Sequence, residues 1–77
     1  MKSSSLPQSI ASSLAGRVAS GLLEPGTHLS AQKLADEFGV SRSPIRDALT
    51  LLEEQGILLR EKNRGYFIAD SARNRSL

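Results

Sequence analysis

Cysteine and tryptophan are absent from this 77-residue chain, histidine occurs once, and the aromatic side chains are one tyrosine and two phenylalanines. Without cysteine there is neither a disulfide frame nor a thiolate-ligated zinc site to reinforce a small core, which fits a reducing compartment. Three aromatic rings are too few for the stacking platform of a single-strand nucleic-acid binder. No apolar run approaches the length that spans a bilayer, and the polar start MKSSSLPQ has no signal-peptide character. A soluble cytoplasmic chain with no membrane partner is the expectation. Chemistry is equally sparse: the one histidine, His28, has no second candidate ligand near it, and there is no phosphate-cradling glycine loop. Glu53 and Glu54 are immediate neighbours that do not face each other across a helix, so they read as a solvated helix end. We expect no enzyme, no metal and no cofactor in this domain, and a surface role for His28.

Seventy-seven residues form one small domain, able to bury only about 60% of the surface its unfolded chain exposes. Stability therefore leans on helix caps and a few apolar stripes. The first stripe is Ile10, Leu14 and Val18 with Ala11 and Ala15, following Pro7 and ending at Gly21. Leu22-Leu23 anchors the exit, and Glu24-Pro25-Gly26-Thr27 follows. Proline presets the first corner of that turn and glycine accepts positive φ at the second. His28-Leu29 suits a short strand.

The stretch from Leu29 to Leu52, LSAQKLADEFGVSRSPIRDALTLL, carries the strongest pattern. Ala31, Leu34, Ala35 and Phe38 recur at helical spacing behind Ser30, whose hydroxyl can accept from an unpaired first-turn N–H. Gly39 suits the left-handed position that ends a helix, and Val40 beyond it can pack back. Ser41 or Ser43 caps the next helix, Pro44 falls in its first turn where no donor is missed, and Ile45, Ala48, Leu49 and Leu52 form its buried stripe. Two helices separated by so few residues must cross steeply, which is a helix-turn-helix. On the polar face of its second helix, Arg42, Arg46 and Thr50 run beside Ser43 and Asp47. Arginine offers a planar fork that holds guanine O6 and N7 or a phosphate, and serines beside free backbone N–H groups suit phosphate.

The net charge of +2 is small, but its placement is uneven. Arg42, Arg46, Arg60, Lys62 and Arg64 fall in the second helix or after it, while the first motif helix carries Asp36 and Glu37. If the basic regions converge, one face is positive. After the closing Glu53-Glu54-Gln55-Gly56, β-prone runs at 57–60 and 66–68 flank Glu61-Lys62-Asn63-Arg64-Gly65. This reads as a hairpin whose tip is either a basic surface turn or a contact that offers Lys62 and Arg64 to a minor groove or a phosphate, and residue type alone favours neither. Of Tyr66 and Phe67, which alternate sides, one should face the core.

The block GVSRSPIRDAL at 39–49, with Pro25-Gly26, Leu29-Ser30, Leu34-Ala35, Phe38, Leu52-Glu53, Gly56 and the run Asn63-Arg64-Gly65-Tyr66-Phe67-Ile68, resembles the N-terminal domain of the GntR family of bacterial transcription regulators. The likeness covers roughly 8–69 and is greatest to the FadR-like branch, whose C-terminal effector domain is all-helical. It implies a mostly α fold with a small β-hairpin: a winged helix-turn-helix of three helices plus a wing. It also implies sequence-specific binding of double-stranded operator DNA as a homodimer, joined through a C-terminal domain that would begin where these residues end and that would bind a small-molecule effector. By the same likeness Arg42 and Arg46 match DNA-contacting arginines, Ser41 and Ser43 match phosphate-side positions, and Gly65 matches the wing-tip glycine. One departure is Gln32, where many relatives have arginine. Glutamine can pair with an adenine edge without charge, and Lys33 can supply a backbone contact instead.

The expected organisation is a disordered start at 1–6, a winged helix-turn-helix at 7–69 and a linker at 70–77 toward that effector domain. The competing expectation is a winged-helix protein-interaction module that never touches DNA, because this fold hosts both functions. The outward pair Arg42 and Arg46 argues against it, since an apolar docking face would carry aromatic or aliphatic anchors.

Overall fold

Three helices and three short strands follow in the order α1 (Leu6–Ala19), β1 (His28–Leu29), α2 (Ala31–Phe38), α3 (Arg42–Glu54), β2 (Leu58–Glu61) and β3 (Gly65–Ile68). They are seen in a computed structural model that describes residues 6–70. The expected frayed start and linker lie outside the described residues, apart from Leu6, which opens α1, and Asp70, which is exposed.

The apolar stripes meet in one core. Ile10, Leu14 and Val18 of α1, Leu34 and Ala35 of α2, and Ile45, Ala48, Leu49 and Leu52 of α3 pack with Leu29, Leu58 and Ile68 from the strands. No polar or charged residue is buried among the described residues. Nearly the whole interior is therefore aliphatic, and its stabilisation comes from area removed from water, about 25 cal/mol per Å². α1 lies across the buried stripe of α3, and α2 packs on the same helix.

Both helix ends of the motif close as the sequence predicts. Gly39 adopts φ 70° and ψ 35°, and its N–H and that of Val40 return to Asp36 and Ala35. At the end of α3, Gly56 has φ 82°, its N–H donates to the Glu53 carbonyl and that of Ile57 donates to Leu52. Each is the paired bond set that satisfies the last carbonyls of a helix. The Ser30 hydroxyl accepts from the Lys33 N–H at 3.2 Å, as expected of an N-cap. At α3 the cap position is Ser41, yet its side chain makes no cap bond, a departure from the expected role.

The turn at 24–27 forms with Gly26 at φ 87° and the Thr27 N–H donating to the Glu24 carbonyl at 3.1 Å. Gly26 and Thr27 also bond Ile68, at 2.8 and 2.9 Å, which ties the turn to the last strand. The hairpin becomes a three-stranded antiparallel sheet of order β1-β3-β2, because His28 and Leu29 pair with Phe67 and Tyr66. The second strand runs 58–61 in place of the expected 57–60, since the Ile57 N–H is already committed to closing α3. The third starts at Gly65, so the wing turn shortens to Lys62, Asn63 and Arg64. Of the alternating pair, Tyr66 packs against the core and Phe67 lies on the outer face beside His28.

Candidate nucleic-acid interface

Helix α3 divides its residues between two environments. Ile45, Ala48, Leu49 and Leu52 are at most 1% exposed, whereas Arg42, Ser43, Arg46, Asp47 and Thr50 are open to solvent. The core thus sets the rotation of the helix about its axis, and that rotation delivers both arginines outward. A shallow groove along the first turns is lined by Arg42, Ser43, Arg46 and Asp47. Despite Asp47 nearby, neither arginine forms an ion pair among the described residues. Their guanidinium donors remain available to a planar acceptor pair.

A second cleft joins parts of the chain far apart in sequence. Its walls are Ala31 and Gln32 from α2, Arg42, Arg46 and Leu49 from α3, and Gly65 and Tyr66 from β3, with His28, Leu29 and Ser30 between them. Four expected site residues, Gln32, Arg42, Arg46 and Gly65, therefore converge on one hollow. Ser43 belongs to the adjoining groove. Ser41, Lys33, Thr50, Lys62 and Arg64 are exposed but do not line the cleft.

Gln32 is held by its own helix: its Nε2 donates to Asp36 Oδ1 at 3.1 Å, one turn on. This leaves the amide oxygen and one N–H for another partner. The wing is shaped by local chemistry. The Arg64 N–H donates to the Glu61 carbonyl at 2.9 Å, with Asn63 at φ 64° supplying the positive corner. The Arg64 guanidinium lies 3.7 Å from a Glu61 carboxylate oxygen and 5.9 Å from the centre of the Phe67 ring. The His28 and Phe67 rings are 5.1 Å apart and tilted by 54°. Sequence reasoning missed His28 as a wall of the cleft, because only the β1–β3 pairing brings it beneath the wing.

Elsewhere, Arg17 of α1 pairs with Glu37 of α2, Nη1 to Oε1 at 3.3 Å, and lies 5.5 Å from the centre of the Phe38 ring. The hydrogen bond from Arg17 holds the Glu37 carboxyl below its ordinary value, and Glu37 raises the Arg17 guanidinium in turn. This pair buttresses the helices and takes no part in the cleft. Among the described residues no group of His, Cys, Asp and Glu could hold a metal ion, and no helix is long and apolar enough to cross a membrane.

Three helices, a two-helix motif with an arginine-led outer face, and a β-wing beside it define a winged helix-turn-helix of the DNA-binding class. The chain belongs to a particular group within that class, the gntR family of bacterial regulatory proteins, whose sequence profile matches residues 6–68. It is 53% identical over 53 residues, 69% of its length, to the gluconate operon transcriptional repressor of Bacillus licheniformis, and spans 22% of that protein. The solved structure of Lar, which controls the expression of the Listeria monocytogenes agr system, matches 91% of this chain and 33% of its own at a TM-score of 0.79 and 40% identity. A GntR family regulator from Pseudomonas syringae matches 83% of this chain and 27% of its own at a TM-score of 0.77 and 41% identity.

Proposed function

We propose that this domain recognises a specific operator in double-stranded DNA through α3 and the wing, and so places a cytoplasmic transcription regulator on its target. The observation that carries the reading is the pair of unpaired guanidiniums, Arg42 and Arg46, opening onto the same cleft as Gln32 and the wing glycine Gly65. With α3 in the major groove, Arg42 and Arg46 meet base edges, Ser41 and Ser43 meet phosphates, and Thr50 lies further along the helix. Gln32 faces a base edge, Lys33 a phosphate, and Lys62 and Arg64 reach toward the neighbouring minor groove. The hydroxyl of Ser41, unused in capping, is free for a phosphate oxygen.

A single module of this kind buries only about 600–1,000 Å² on DNA, so useful affinity requires two copies on paired half-sites. A C-terminal domain of the sort that the longer relatives have room for would supply the dimer contact and the effector site. By the role of the gluconate-operon relative, occupancy represses. The protein-interaction alternative finds no support on α3, because the exposed large apolar side chains among the described residues are Leu6, Leu22 and Leu59.

Selection of the domain on a pool of random duplexes tests the proposal. Enrichment of one short motif, most tellingly as an inverted pair, is the expected result. Failure to retain any duplex even at low salt would overturn it.

A further inference from the structure

We infer that His28 is an additional phosphate contact, one that makes DNA affinity depend on pH. The inference rests on the DNA-binding reading above and adds a residue to it. His28 is exposed and lines the cleft between α3 and the wing. When a helix fills the major groove and a wing reaches the adjacent minor groove, the phosphodiester strand separating those grooves must cross the gap between the two elements. In this fold that gap is the cleft holding His28.

The ring is prepared for such a contact. Phe67 packs against it with centroids 5.1 Å apart, which limits where the imidazole can turn. Neither ring nitrogen hydrogen-bonds another of the described residues. Gly65 keeps the space before it clear: a Cβ there would stand 2.9 Å from Nε2. The wing glycine thus has a second use beyond its φ of 100°, since any side chain would occupy the approach to the imidazole.

Among the described residues, the charged and titratable groups that line the cleft with His28 are Arg42 and Arg46 from α3 and Tyr66 from β3, while Arg64 lies 5.9 Å from the centre of the Phe67 ring and pairs with Glu61. Histidine is the side chain whose ordinary charge change falls between about pH 5 and 8. A phosphate beside an imidazole favours the protonated form. DNA binding should therefore take up a proton at His28, and affinity should rise as pH falls through that range. Phosphate contacts are independent of base sequence, so any duplex can report it.

The test measures binding of the 77-residue chain to a random-sequence duplex of about 20 base pairs, two helical turns, between pH 5.5 and 7.5. The wild type, His28→Gln and His28→Lys are compared. The expected result is roughly three- to tenfold tighter wild-type binding at the acid end through proton linkage. That gain should vanish in His28→Gln, while His28→Lys binds tightly at every pH. At acid pH the logarithmic salt slope of the wild type should exceed that of His28→Gln by about 0.9, the signature of one further phosphate neutralised. Firm binding with the same pH profile and salt slope in wild type and His28→Gln would overturn the inference and leave the DNA reading standing. Absence of binding by all three proteins at every pH and at low salt would overturn both.

Discussion

Between α2 and α3 the chain reverses on backbone hydrogen bonds: Gly39 and Val40 donate to Asp36 and Ala35, and Leu34 and Ile45 on either side are buried. The wing reverses on the Arg64 to Glu61 backbone bond at the end of the β2–β3 ladder, with exposed contacts among Arg64, Glu61, Phe67 and His28. Both turns border the same interface, yet the first closes against buried apolar neighbours, Leu34, Ala35 and Ile45. The second is held by an exposed ion pair and ring contacts, each worth roughly 1 kcal/mol or less. The core presents α3 in one orientation, while the end of the wing rests on exposed contacts.

The largest expected effect removes the common support of both regions. Leu49 is 1% exposed in the centre of α3, and Leu49→Ala should cost about 2–5 kcal/mol, read as a lower urea midpoint. In a domain this small that is a large share of the total stability. A loss confined to the wing would break the picture of one shared core. Next come the two turn glycines. A Cβ at Gly39 meets nothing within 4 Å, so Gly39→Ala should cost only the left-handed backbone penalty, about 1–2 kcal/mol. Gly65→Ala carries a similar strain and also displaces His28, so amide and ring resonances of His28 and Phe67 should shift while those of 34–45 stay in place. Equal spreading of shifts from both substitutions would erase the distinction between the turns.

The smallest effect lies outside both turns. Glu37→Gln should lower stability slightly at neutral pH, because the Arg17–Glu37 pair is exposed and solvent screens it. The folded Glu37 carboxyl is held below its ordinary value, so the contribution is present above the usual carboxylate range and disappears as pH falls through the lowered value. Thermal melts of wild type and Glu37→Gln should therefore differ at pH 7 and converge in strong acid. The raised Arg17 keeps its charge throughout that range.

Local signals made the helical part legible. The caps at Ser30 and Gly39, the turn at 24–27 and the buried stripe of α3 each depend on residues within a few positions of one another, and the structure shows them where periodicity puts them. Long-range pairing was not legible. Nothing in a two-residue run such as His28-Leu29 announces a partner at Tyr66 and Phe67, so the third strand of the sheet and the place of His28 in the cleft emerge only in three dimensions. The strand after α3 slipped by one residue because the helix cap claimed Ile57. The exposed face of Arg42, Arg46 and Thr50 followed from helical spacing, but the convergence of Gln32 with Gly65 required the packed chain. Ser41 sits at the cap position without using its hydroxyl there, a choice that residue type alone does not settle.

The most direct measurement is Arg46→Ala binding to the selected motif and to a random duplex in the same buffer. If Arg46 reads a base from the core-fixed helix, affinity for the motif should fall by about 1–3 kcal/mol more than affinity for random sequence. Equal losses on both duplexes would make Arg46 a phosphate contact and contradict base reading by α3 at this position.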